Sequence, residues 1–114
     1  MEEERLTDIQ EFADRVAAQF RPERIVLFGS HASRVSVEDS DVDLLVIMDF
    51  EGRPHQKAFE IRRSINRAFP LDLLVRKPAD VALRLNQGDF FLGDIIRKGR
   101  VLYERSDKGM APES

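Results

Sequence analysis

Leu6, Ile9, Ala13, Val16, Ala17 and Phe20 recur at spacings of three and four with charged residues between them, the pattern of one apolar face on a helix. Thr7 followed by Gln10 offers a capping box, and Pro22 stands where a helix has to stop, so a helix over about residues 5–20 is predicted. Arg24-Ile-Val-Leu-Phe28 is short and apolar and runs into Gly29 and Ser30, as a buried strand ending at a backbone-permissive position would. The stretch from Ser30 to Ser40 is polar and irregular, with room for a short helix after Gly29. Val42-Asp-Leu-Leu-Val-Ile-Met48 then predicts a second strand.

After Gly52-Arg53-Pro54, helical spacing returns at Ala58, Ile61, Ile65, Ala68 and Phe69, which predicts a second long helix reaching Pro70. Leu71-Asp-Leu-Leu-Val75 reads as a third strand. Pro78 to Gly88, with proline at its start and glycine at its end, reads as a third helix. Phe90 to Lys98 closed by Gly99 gives a fourth helix, and Val101-Leu-Tyr103 a last edge strand. The order implies an α/β (α+β) domain with a mixed sheet of about four strands flanked by helices. One domain is expected over residues 1–105, with 106–114 a disordered polar tail.

Composition narrows the chemistry. At 114 residues, 42% hydrophobic and 34% charged, the chain suits one folded domain and not a disordered or fibrous one. The absence of cysteine excludes disulfides, thiolate zinc sites and a cysteine nucleophile, and His31 and His55 alone make a histidine-rich metal site remote. Carboxylates must therefore supply most of any metal chemistry. A net charge of -3 does not favour capture of a nucleic-acid backbone. No apolar run matches a bilayer, and the acidic N-terminus is unlike a secretory signal, so a cytoplasmic protein is expected.

The informative stretch runs from Gly29 to Val46. Asp41 and Asp43 lie two apart at the head of the second strand, so on an extended chain they project to one side and can hold a divalent cation. Carboxylate oxygens are what magnesium requires, and phosphate oxygens commonly complete its shell, which points to a nucleoside triphosphate. Gly29 lets a ligand approach the backbone, and Ser30 at a helix start offers a hydroxyl and amide donors to an anion. Asp72 interrupts an apolar strand, where an unpaired buried carboxylate would be costly, and a metal or proton-transfer role resolves the conflict. It meets Asp43 if the second and third strands run parallel, and Gly29 joins them if the first strand is antiparallel to the second. Each feature alone also has a plain structural reading, as a turn, a solvated acidic loop or a strand-end carboxylate. His31, Arg34, Arg53, Lys57, Arg76 and Lys77 are weaker phosphate-contact candidates, and Phe90, Phe91 and Tyr103 read as core or interface residues. An EF-hand starting at Asp39 is excluded by Leu44 and Phe50, and the P-loop and dinucleotide signatures are absent.

At Gly29, Ser30, Asp41, Asp43 and Asp72 the chain resembles the nucleotidyltransferase superfamily with the polymerase-β-like fold, particularly its minimal, stand-alone MNT type. The match is close over about residues 24–76 and looser in the flanks. The resemblance implies transfer of a nucleoside monophosphate, AMP from ATP in the first instance, to an acceptor hydroxyl with release of pyrophosphate and two Mg2+ ions. Asp41, Asp43 and Asp72 would be catalytic and metal-binding, and Gly29 and Ser30 would hold the triphosphate. It further implies a helical HEPN-type partner, which the chain would neutralise as an antitoxin by adenylylating it. The family commonly has Arg-Gly where this chain has Ser33-Arg34. A non-catalytic partner-binding module and a small-molecule (antibiotic) nucleotidyltransferase are the alternatives, and homo-oligomerisation stays open.

Overall fold

The structure is a computed structural model that describes residues 2–29 and 41–105. Helix α1 (Glu2–Phe20) buries Ile9, Phe12, Ala13 and Val16. It starts earlier than the apolar pattern predicts, because a run of glutamates has high helix propensity and suits the positive end of the helix dipole. Thr7 accordingly lies inside the helix and is not its cap. Arg21 closes it with φ 53, its amide donating to the Ala17 carbonyl at 3.0 Å, and the buried Pro22 prevents another turn.

The remaining elements are β1 (Arg24–Phe28), β2 (Val42–Ile47), α2 (Pro54–Ser64), β3 (Leu71–Arg76), α3 (Pro78–Asn86), α4 (Phe90–Lys98) and β4 (Arg100–Glu104). Only α2 differs materially from expectation, ending at Ser64 with Ile65 already extended at φ -132. Pro70 disfavours helical backbone at Phe69, and the chain reaches β3 through an irregular link that bends at Ala68 and Phe69. Ile65 and Phe69 are buried all the same, as link residues.

The sheet order is β3-β2-β1-β4, with β1 antiparallel to β2 and β4, and β2 parallel to β3 through the α2 crossover. β2 is central and covered on both faces, which explains its near-continuous apolar sequence. Its Val42, Leu44 and Val46 pack with α1 and α2, beside Ile9, Val16 and Ile61. Its Leu45 and Ile47 face the opposite way, into a smaller cluster with Val81 of α3 and Leu92 and Ile95 of α4. Helices thus flank a mixed four-stranded sheet, as predicted. Among the described residues no helix is long and apolar enough to cross a membrane. The short helix expected after Gly29 and the tail from Ser106 onward lie outside the described residues.

Candidate active site

The strand directions bring Gly29, Asp43 and Asp72 to one edge of the sheet. β1 ends at Phe28, which pairs with Asp43 at the start of antiparallel β2. Asp43 in turn pairs with Asp72 across the parallel β2–β3 ladder. Register partners on neighbouring strands stand about 4.8 Å apart and point to the same face. That face is the one covered further along by α3 and α4, since Asp43 alternates with Val42 and Leu44 on the α1–α2 side.

Gly29 is required here for two reasons. Its φ of 81 lies in the left-handed region, which L-residues enter at a cost. A Cβ at this position would also collide with Asp43 Oδ2 and lie 3.2 Å from Asp43 Cγ. The glycine therefore leaves its place to the Asp43 carboxylate, which is half-buried.

Asp41 is exposed and stands one residue before β2. Asp72 is exposed as well, which corrects the expectation of a buried carboxylate interrupting an apolar strand. Its run alternates, with Leu71, Leu73 and Val75 turned into the core and Asp72 left on the open side, so no burial penalty has to be resolved. Ser30, His31, Ser33 and Arg34 lie outside the described residues. Lys57 and Lys77 sit over the Phe20 and Phe50 rings at 5.8 and 5.2 Å, and Arg76 donates to the Val75 carbonyl at 2.8 Å. Arg76 and Lys77 are at the opposite end of β3 from Asp72, and Arg53 and Lys57 follow the far end of β2, so none of the four joins the Asp43 edge.

Among the described residues no group of three or more acidic or histidine side chains is close enough to hold a metal by itself. Asp41, Asp43 and Asp72 are thus not a closed cage. Hard carboxylate oxygens brought to one sheet edge, with Asp41 and Asp72 open to solvent, nevertheless fit an ion that keeps several other ligands, as magnesium does with water and phosphate oxygens.

Beside Gly29 is a cavity of about 300 Å³ lined by Phe28, Phe91, Asp94, Ile95, Lys98 and Gly99. Phe28 and Phe91 meet edge to face at 6.0 Å. Gly99 makes this closeness possible, since a Cβ there would be 2.5 Å from Val26 Cγ1 and 3.0 Å from the Leu27 carbonyl. No motif marks Asp94 or Lys98 in the sequence. The available signal is a glycine directly after a helix that ends in Arg97-Lys98. Phe90 is 90% exposed and Phe91 57%, so neither is a core residue, whereas Tyr103 packs against the larger core cluster.

A family model described as polymerase beta, nucleotidyltransferase, matches residues 9–108. No curated protein sequence matches the chain. Among solved structures, a candidate nucleotidyltransferase from Sulfolobus solfataricus superposes with a TM-score of 0.65 at 18% identity, covering 92% of this chain and 85% of that one. At that identity the likeness speaks for the fold.

Proposed function

The chain belongs to the polymerase beta nucleotidyltransferase family, and from that premise we propose that it transfers AMP from ATP to an acceptor hydroxyl on a partner protein. The observation that carries this reading is the row formed by Gly29, Asp43 and Asp72, in which Asp43 faces Asp72 across a parallel ladder and the Asp43 carboxylate takes the place a side chain at Gly29 would need. Family members act on nucleoside triphosphates with divalent metal ions.

In this reading Asp41 and Asp43 would hold Mg2+, Asp72 would complete the shell of the ion that activates the acceptor, and Gly29 with Ser30 would grip the triphosphate. A bound divalent ion supplies charge neutralisation on the attacking and leaving oxygens. The acceptor oxygen bonds to the α-phosphorus as the bond from that phosphorus to the β-bridging oxygen breaks. Pyrophosphate leaves, and the acceptor's proton passes to Asp72, whose exposure leaves it open to an incoming group. Positioning and electrostatics carry most of the rate. A helical HEPN-type protein, neutralised by the modification in an antitoxin role inside the cytoplasm, is the partner this reading names.

The test is calorimetric titration of ATP with Mg2+ and with EDTA, followed by incubation of α-labelled ATP with an extract of the source cells. Magnesium-dependent binding and a labelled polypeptide support the reading. Absence of ATP binding in magnesium contradicts it.

A second reading, a partner-binding module without catalysis, is favoured by the exposed aromatic pair Phe90 and Phe91 on α4. It expects Asp43→Asn to bind and neutralise the partner as well as wild type does.

A further inference from the structure

Along the outer edge of β3, between α2 and α3, runs a groove of about 820 Å³. Among the described residues β3 has no neighbour on that side. The amides of Val42 and Met48 bond to the Pro70 and Arg76 carbonyls, so the backbone groups of even-numbered residues turn toward β2 and those of Leu71, Leu73 and Val75 turn outward. Such an edge is a template for another strand. Arg76 blunts it at one point, its guanidinium donating to the Val75 carbonyl.

The groove walls are cationic and apolar. Arg62, Arg76 and Arg84 line it together with the carboxylate of Asp80, and Arg84 is also 3.6 Å from Asp89. Phe59 projects into the same space with 62% of its surface exposed. This surplus of positive charge, on a chain whose net charge is -3, marks the groove as a place for an acidic ligand. Its shape, an open strand edge with an aromatic beside it, fits an extended polypeptide added as a fifth strand.

The position of the edge gives that strand a chemical consequence. The row that contains Asp43 and Asp72 continues outward, and the next place in it belongs to whatever pairs with β3. A residue of the added strand opposite Asp72 stands about 4.8 Å from it, with its side chain on the same face. The groove itself lies toward the far end of β3, at Leu73 to Arg76, about 3.3 Å per residue from Asp72. One extended segment of a few residues therefore spans both.

We infer that the β3 edge is the docking site for the acceptor, an extended acidic polypeptide segment whose hydroxyl-bearing residue pairs opposite Asp72. The inference rests on the transferase reading for the identity of the reaction, and on the groove alone for the binding. The segment's hydroxyl oxygen takes the nucleoside monophosphate at phosphorus, pyrophosphate leaves, and the hydroxyl proton goes to the Asp72 carboxylate.

The test uses fluorescein-labelled poly(Glu,Tyr), with poly(Lys,Tyr) and a labelled single-stranded oligonucleotide as comparisons, in fluorescence anisotropy without nucleotide. The wild-type chain should bind poly(Glu,Tyr) and neither comparison. The double variant Arg62→Glu, Arg84→Glu should bind it at least about tenfold more weakly, and Phe59→Ala should weaken it as well. Both variants change exposed side chains, and unchanged thermal melting and unchanged binding of Mg-ATP confirm that the fold and the nucleotide site are intact. Label from α-labelled ATP should appear on poly(Glu,Tyr) with wild type and fall in step with binding in the variants. Equal binding by wild type and variants, preference for the oligonucleotide, or self-association through β3 in place of poly(Glu,Tyr) binding overturns the inference. Failure of wild type to bind Mg-ATP strikes the transferase reading instead, since the polypeptide binding is read without nucleotide.

Discussion

Asp43 and Asp72 stand opposite one another across the parallel pairing of β2 and β3, one half-buried and the other open to solvent. They are far apart in sequence and are brought together by the α2 crossover. The difference in exposure suits different tasks, since a half-buried carboxylate is held in place while an exposed one can meet an incoming group.

Gly29→Ala forces an L-residue to φ 81 and drives a methyl group into the Asp43 carboxylate. The expected cost is about 1–2 kcal/mol of stability from the backbone alone, with a larger effect on Mg-ATP affinity because Asp43 must move. Denaturant melts and nucleotide titrations check both. Retention of wild-type affinity would show that the glycine serves only the turn.

The glycines of α4 and its end should behave in opposite ways. A methyl group added at Gly93 would meet only Arg97 Nη1, at 3.9 Å, so Gly93→Ala should stabilise the helix by about 0.5–1 kcal/mol. Gly99→Ala puts the methyl 2.5 Å from both the Ile95 carbonyl and Val26 Cγ1, and overpacking of this kind costs about 1–3 kcal/mol. Chemical denaturation of the two variants side by side gives the contrast directly.

Ile61 is fully buried where α2 meets the sheet and sits in the larger core cluster. Ile61→Ala should lower stability by about 2–5 kcal/mol. In a domain whose total stability is on the order of 5–15 kcal/mol, that moves the unfolding midpoint markedly. Because α2 is also the crossover that sets β3 in register with β2, nucleotide affinity should fall before the chain unfolds, as a titration at increasing denaturant would show.

The sheet is legible in the sequence because its strands are short apolar runs closed by glycine, proline or acidic residues, and because β2 is apolar on both faces. The same reasoning yields the strand directions needed to bring Gly29, Asp43 and Asp72 together, and the structure has those directions. Ile65 and Phe69 make α2 look longer than it is, since a spacing of four is equally compatible with two buried residues in an irregular link. Asp72 stands out in the sequence for a reason the structure does not support, as its neighbours are apolar but its own face is open. The groove beside β3 leaves no trace in the sequence. Phe59 and Arg62 belong to one helix and Arg84 to another, and only the tertiary packing of α2 and α3 around a strand edge makes them neighbours.

The most direct test of the central claim compares Asp43→Asn and Asp72→Asn for Mg-ATP binding and for transfer of label from α-labelled ATP to a co-purified partner, with melting temperatures matched to wild type. Asp43→Asn is expected to lose both magnesium-dependent binding and transfer. Asp72→Asn is expected to keep binding and lose transfer on the order of a hundredfold to a thousandfold, the scale of removing one preorganised catalytic contact. Transfer at the wild-type rate by Asp72→Asn, or undiminished binding and transfer by Asp43→Asn, would contradict the assignment of this row as the active site.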